Sequence, residues 1–120
     1  MREDRVYFAI ETRGGARYIG HAWLWGIDPF NRKAELRIFI GESDCLEKGI
    51  GTEAICLLCR YGFKEMKLHR IYAYVHATNS RARRAFEKAG FKIEGLLRDD
   101  RRVGRQFINV CLLGKLCDAF

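Results

Sequence analysis

The chain has 120 residues, a length that suits one domain with a single hydrophobic core. Hydrophobic residues make up 48% of it and there is one proline, which excludes a disordered or low-complexity protein. Lysines and arginines number 22 against 15 aspartates and glutamates, and the net charge of +7 favours anionic partners. Without an apolar signal segment or membrane span, we expect a soluble cytoplasmic protein with reduced cysteines.

The first third of the sequence predicts three strands joined by short turns. RVYFAIE ends at a pair of glycines, YIGHAWLWGI ends at Asp28 and Pro29, and AELRIFI follows. Strands with such short connections pair as an antiparallel meander. We therefore predict that the chain begins with a three-stranded antiparallel sheet.

The spacing of apolar residues changes after the third strand. From residue 49 to about 67 they approximate one helical face: Ile50, Ala54, Leu57, Leu58, Tyr61 and Phe63. RIYAYVH predicts a strand parallel to the third, and a helix capped by Asn79 or Ser80 follows it and ends at Gly90. The last segment predicts a hairpin that turns near Gly104. The predicted fold is a mixed α/β domain of order βββ-α-β-α-ββ that covers residues 1–120.

Two glycines, Gly49 and Gly51, stand where the loop becomes a helix. Because glycine has no β-carbon, a ligand can approach the backbone closely. The free N–H groups at the start of the helix then point at the ligand with the positive end of the helix dipole. Lys48 adds a charge and Thr52 a hydroxyl. From the glycines alone, a phosphate site and an ordinary helix start remain equally open.

Two families of phosphate-binding loop fit this stretch poorly. The spacing G-x-x-x-x-G-K-[ST] of a P-loop does not occur. GIGTEA does satisfy the dinucleotide fingerprint G-x-G-x-x-A, but that fingerprint directly follows the first strand of a βαβ unit. Here an eight-residue loop intervenes, and a meander precedes it. The dinucleotide interpretation is therefore weak.

Four segments, in order, resemble the GNAT acetyltransferase superfamily, most closely its ribosomal-protein and polyamine N-acetyltransferase branch. AELRIFIGE resembles the central strand of the family, and LEKGIGTEA its [QR]-x-x-G-x-[GA] coenzyme A loop. LHRIYAYVHATNSRARRAFEKAGF is similar to the next strand and helix, and LLRDDRRVGRQFINVCLLG to the closing hairpin. The resemblance implies a GNAT-like fold, acetyl-CoA bound between two splayed parallel strands, and direct attack of an amine on the thioester. No metal is expected.

The resemblance also implies roles for individual residues. The backbone of Phe39 and Ile40 would pair with the pantetheine arm, residues 46–52 would hold the pyrophosphate, and Asn79 would reach the pantetheine or the carbonyl. Phe86 would border the coenzyme. The implied coenzyme-binding set is Phe39, Ile40, Leu46, Glu47, Lys48, Gly49, Ile50, Gly51, Thr52, Asn79 and Phe86.

The reaction needs a base, because an amine with a pKa of roughly 8 to 10 is mostly protonated at neutral pH. Glu35, where many relatives keep a carboxylate, is the first candidate and Glu42 the second. The alternative for each, which the residue type alone favours, is a solvent-facing carboxylate of a strand or loop.

Three positions and one missing segment depart from the family pattern. Leu46 stands where many relatives have Gln or Arg, Glu47 where many have Gly, and Phe86 where many have a tyrosine that acts as general acid. The family usually begins with a further strand and two helices that wall the acceptor pocket. We therefore expect either a truncated sequence, or an N-terminally short domain whose acceptor pocket is open or completed by a partner subunit, as in a homodimer.

Three functions compete on this basis. The favoured one is transfer of acetyl from acetyl-CoA to a primary amine, such as a protein N-terminus, a polyamine or another small amine. The alternative is a non-catalytic acetyl-CoA-binding relic or interaction module, and RNA binding through RDDRR ranks third. No membrane partner is expected. Cys56 and Cys59 are interpreted as core thiols of a helix, and His21, His69 and His76 as structural.

Overall fold

The computed structural model describes residues 5–11, 17–41 and 49–118. These residues form a six-stranded mixed sheet with two helices. The strands are β1 (Arg5–Glu11), β2 (Tyr18–Asp28), β3 (Lys33–Ile40), β4 (Arg70–His76), β5 (Lys92–Val103) and β6 (Gln106–Leu116). The helices are α1 (Ile50–Arg60), which continues into a π-helical turn (Tyr61–Glu65), and α2 (Ser80–Lys88). The predicted mixed α/β fold and its order βββ-α-β-α-ββ are confirmed.

The strands lie in the order β1-β2-β3-β4-β6-β5. The first three form the predicted antiparallel meander, and β3 and β4 are parallel because α1 crosses over between them. β5 and β6 form the predicted hairpin, which turns at Gly104 with a φ of 63°. The parallel pair therefore lies in the middle of the sheet, and antiparallel strands extend it on both sides.

The core lies between one face of the sheet and the two helices. On α1 and the following turn the buried residues are Ile55, Leu58, Cys59, Gly62 and Phe63, a spacing of three and four residues. They pack against buried residues of the central strands: Ala22, Leu24, Ala34, Leu36, Ile71, Ala73 and Val75. The predicted stripe was wrong at two positions, since Leu57 is 55% exposed and Tyr61 38%. Both flank the buried stripe, where apolar character alone does not decide burial.

The opposite face of the sheet, called the open face below, carries no helix in the part of the chain that the structure describes. It presents aromatic side chains instead, because alternate residues of a strand point to opposite faces. Tyr7 stacks on Trp23 with ring centroids 5.2 Å apart, and His21 lies between Trp23 and Phe39 at 5.3 and 5.6 Å. Trp23 and Trp25 share this face, because they lie two residues apart on β2.

Both helices begin with local geometry that the sequence indicates. Gly49 precedes α1 with a φ of 77°, a left-handed conformation that a residue with a β-carbon rarely adopts. Asn79 caps α2, as predicted, and Gly90 follows that helix with a φ of 100°.

Among the described residues no helix is both long and apolar enough to cross a membrane.

Candidate active site

The sheet opens in its middle, where β3 and β4 separate. They pair at three positions only: Lys33 with Arg70, Ala34 with Ile71, and Glu35 with Tyr72. Beyond these positions β4 remains paired with β6, whereas residues 36–40 of β3 keep β2 as their one strand neighbour among the described residues. The two strands thus diverge, and beyond Glu35 the edge of β3 that faces the gap has no strand partner among the described residues.

A cavity of about 440 Å³ occupies this gap. Its lining residues are Glu35, Leu36, Arg37, Ile38, Tyr74, Val75, His76, Asn79, Ala82, Phe86 and Arg101. Leu36 and Val75 belong to the helix-covered face, whereas Glu35 and Tyr74 lie on the open face. The gap therefore connects the two faces of the sheet, so two reactants could meet in it from opposite sides.

Helix α2 forms the wall of the gap on the helix-covered face. The side-chain oxygen of Asn79 accepts a hydrogen bond of 3.1 Å from the backbone N–H of Ala82. The amide NH₂ of Asn79 is therefore free to donate to a ligand. Phe86, which is 3% exposed, packs edge-on against Phe91 with ring centroids 5.0 Å apart. Two predicted coenzyme residues, Asn79 and Phe86, thus border the same cavity.

The start of α1 lies against the end of β3 and against α2. A β-carbon added at Gly51 would lie 3.6 Å from Cδ1 of Ile40 and 4.0 Å from Cβ of Ala85. The hydrogen bond of 3.0 Å from the N–H of Glu53 to the carbonyl of Gly49 is the first of the helix. The N–H groups of Ile50, Gly51 and Thr52 precede it and have no acceptor within the helix itself. The structure brings together Ile40, Gly51 and α2, while Leu46, Glu47, Lys48 and Glu42 lie outside the described residues.

An ion pair holds Glu35 at the wall of the gap on the open face. Its two carboxylate oxygens accept hydrogen bonds from Nε and Nη2 of Arg37, at 3.0 and 3.3 Å. The Arg37 guanidinium lies 5.1 Å from the ring centroid of Trp25, which adds a cation–π contact. The Glu35 side chain is 13% exposed and that of Arg37 44%. Glu35 is thus an oriented carboxylate whose oxygens already have partners.

Tyr72 lies beside Glu35 at the point where the strands separate. Burial raises the pKa of its phenol, and the nearby charge of Glu35 raises that pKa further. Tyr74 follows on the same face, with its ring centroid 5.9 Å from that of Tyr72. At neutral pH the Tyr72 hydroxyl therefore stays protonated and can donate a hydrogen bond.

Four polar residues that line the gap were not predicted from the sequence: Arg37, Tyr74, His76 and Arg101. Arg37 could have been predicted, because it lies two residues from Glu35 on the same strand and therefore shares its face. His76 was interpreted as structural, although the same alternation on β4 places it with Tyr74. Arg101 could not be found this way, since the pairing register of β5 shifts between Leu97 and Arg101.

Two further features fall outside this site. A larger groove of about 900 Å³ runs between β1, β2 and α1, and Ile50 is the one predicted site residue in its lining. Cys59 is buried and Cys56 half-buried on α1, as expected for helix thiols. In residues 5–11, 17–41 and 49–118, no three His, Cys, Asp or Glu side chains are grouped closely enough to hold a metal ion.

Comparison with known proteins identifies the family of this fold and gap. Residues 1–92 match the acetyltransferase (GNAT) domain family. The chain belongs to the GNAT family. A similar GNAT protein is the probable N-acetyltransferase YjcK of Bacillus subtilis, 38% identical over 105 residues. Another is the spermidine N(1)-acetyltransferase of Escherichia coli, 32% identical over 102 residues. The resemblance stated from the motifs is thereby confirmed.

Solved GNAT structures have the same fold. The crystal structure of the spermidine N-acetyltransferase from Vibrio cholerae, in complex with CoA and spermine, has a TM-score of 0.86 at 27% identity. The match covers 94% of this chain and 66% of the Vibrio cholerae chain. The matches to YjcK and to the Escherichia coli enzyme each cover 85% of this chain but 56% and 53% of those relatives. The chain therefore spans little more than half the length of these two relatives and about two thirds of the solved Vibrio cholerae chain.

Proposed function

We propose that this chain, as a single domain, transfers the acetyl group of acetyl-CoA to a primary amine by direct attack. The observation that carries the proposal is the gap between β3 and β4. It offers an unpaired strand edge on one wall and a capped helix on the other, and it is open to both faces of the sheet. Membership of the GNAT family supports the same activity.

The helix-covered side of the gap would receive acetyl-CoA. The start of α1 offers N–H groups and a positive dipole end to the pyrophosphate, together with the flanking residues Leu46, Glu47 and Lys48. The free edge of β3 near Phe39 and Ile40 suits an extended pantetheine arm, which would pair with it as an added strand. The NH₂ of Asn79, free of the helix cap, would donate to the pantetheine or to the thioester carbonyl.

The acceptor amine would enter from the open face. Its nitrogen attacks the carbonyl carbon of the thioester, the carbon–sulfur bond breaks, and the attacking nitrogen loses one proton. A backbone N–H of Phe39 or Ile40 would stabilise the negative charge that develops on the carbonyl oxygen. The acetyl group passes directly to the amine, so no acyl-enzyme forms.

Glu35 is the proposed base and would act through a water molecule. Its oxygens each accept one hydrogen bond from Arg37, and each has a further lone pair that can accept from a water molecule. A bridging water can receive the amine proton while the pair stays in place. Glu42 remains the second proposed base.

The leaving thiolate needs no protein acid in this proposal. Phe86 borders the gap and has no proton to give. A thiol has a pKa of roughly 8.5, so the coenzyme can depart as thiolate and take a proton from water. The ring of Phe86 would then form part of the cavity wall beside the thioester and take no part in proton transfer.

Thiol release measured against a panel of amines tests the proposal. Acetyl-CoA is expected to bind in calorimetry and to raise the melting temperature, because it binds the native state only. An amine in the panel is then expected to release free coenzyme A thiol above the hydrolysis background. Tight coenzyme binding without thiol release from any amine would instead support the non-catalytic relic. Loss of coenzyme binding together with salt-sensitive RNA retention would overturn the proposal in favour of RNA binding.

A further inference from the structure

Arg101 adds a positive charge to the gap on its open-face side. It pairs with Ile108, which lies two residues before Val110, and Val110 pairs with His76. Arg101 and His76 therefore share the open face. Residues 98–100 lie in the register shift of β5, and beyond it Arg101 joins the lining of the cavity.

The charge of Arg101 is not compensated within the gap. Glu35 is the one carboxylate among the described lining residues, and it is already paired with Arg37. The structure gives Arg101 no ion-pair partner in the ranges it describes. The neighbouring Asp99 and Asp100 are exposed and do not line the cavity. The described lining therefore carries an excess positive charge.

The surroundings have the same sign. Glu94, on β5, is paired with Arg70 at 2.8 Å, so its charge is also balanced. The hairpin of β5 and β6 adds Arg98, Arg102 and Arg105 against Asp99 and Asp100, and the whole chain carries +7. A polycation that enters the gap would be repelled, whereas an anionic group would be attracted.

We propose that Arg101 selects acceptor amines that carry carboxylates next to the amino group, namely the N-termini of acidic peptides, and disfavours polyamines. This inference rests on the proposed function. The planar guanidinium of Arg101 pairs with a carboxylate of the peptide through two parallel hydrogen bonds. That contact holds the terminal amine near Glu35 in the gap. The solved relative from Vibrio cholerae is described with spermine, so this chain would differ from it in acceptor.

Thiol release with matched acceptors tests the selection. The panel contains a short peptide with a serine N-terminus followed by two glutamates, the same peptide with two alanines or two lysines, and spermidine. The full chain is expected to show the highest kcat/KM with the glutamate peptide and the lowest with spermidine. Arg101→Ala should lower kcat/KM for the glutamate peptide about fivefold, the scale of a partly exposed ion pair, and leave the alanine peptide within about twofold. Arg101→Glu should reverse the preference between the glutamate and lysine peptides.

Arg105→Glu is the matched control. Arg105 is an exposed residue at the turn of the same hairpin, it does not line the gap, and the substitution changes the net charge equally. The control is expected to retain the wild-type preference. If spermidine or the lysine peptide is the best acceptor, or if both Glu variants shift the preference alike, the inference is wrong while the proposed function stands. If no amine releases thiol, the proposed function fails and the inference fails with it.

Discussion

Asn79 performs two functions with one side chain, and two substitutions separate them. Its oxygen caps α2 by accepting the N–H of Ala82 at 3.1 Å, and its NH₂ is left for a ligand. Asn79→Asp keeps the capping oxygen and replaces the NH₂ donor by a charged oxygen of nearly the same shape. Asn79→Ala removes both groups. Asn79→Asp therefore measures the loss of the donor alone, and Asn79→Ala measures the loss of the donor and the cap together.

The expected magnitudes follow from these contacts. Loss of a helix N-cap costs about 1 kcal/mol, which lowers the melting temperature of a domain of this size by about 3 to 6 °C. Asn79→Asp should melt at or slightly above the wild-type temperature, because a carboxylate also interacts favourably with the N-terminal end of the helix dipole. Loss of a neutral hydrogen bond to the ligand costs about 0.5 to 1.5 kcal/mol, or roughly a 2- to 10-fold rise in Kd. Both variants should therefore bind acetyl-CoA more weakly.

Thermal melting without ligand and calorimetry with acetyl-CoA measure the two effects independently. Wild-type coenzyme affinity in Asn79→Asp would show that the NH₂ does not contact the coenzyme. A wild-type melting temperature in Asn79→Ala would show that the cap contributes nothing to stability. Either result would contradict the division of roles argued from the hydrogen bond.

Three further predictions concern the base, the core and a buried thiol. Glu35→Gln should lower turnover in the thiol-release assay while Kd for acetyl-CoA changes little, and an unchanged pH–rate profile would remove Glu35 from the mechanism. Phe86→Ala should lower the free energy of unfolding in urea by roughly 3 to 5 kcal/mol, since its ring is 3% exposed; a loss below about 1 kcal/mol would contradict its place in the core. Burial raises the pKa of Cys59 from 9.0 to about 12, so the unfolded chain releases this proton before the native one does. Its contribution to stability is complete below pH 9 and lost between about pH 9 and 12, and Cys59→Ala should show a shallower decline over that window.

The strand and helix pattern could be predicted because each element carries its own local signal. The alternation in β2 and β3, the cap at Asn79 and the turn at Gly104 depend on neighbouring residues only. The face of α1 was less predictable, because Leu57 and Ile55 are equally apolar and differ only in what packs on them.

The residues of the candidate site could likewise be predicted only where they lie in segments with a local sequence signal. Glu35, Asn79 and Phe86 lie in segments with family motifs, and the structure brings all three to one cavity. Arg101 is more than sixty residues from Glu35 in the sequence, and a register shift decides its position. No local sequence pattern indicates that these two residues line one cavity, and RDDRR taken alone also suggests an RNA-binding cluster.

The separation of β3 from β4 also divides the sheet mechanically. The half with β1, β2 and β3 is joined to the half with β4, β6 and β5 by pairing at three positions and by the helices. Amide hydrogens of residues 36–40 that face the gap should exchange quickly with solvent, whereas those directed at β2 should be protected. An extended ligand that hydrogen-bonds along that edge would connect the two halves of the sheet. The decrease in the amide exchange rates of residues 36–40 on addition of the ligand would measure how much the bound substrate contributes to the continuity of the sheet.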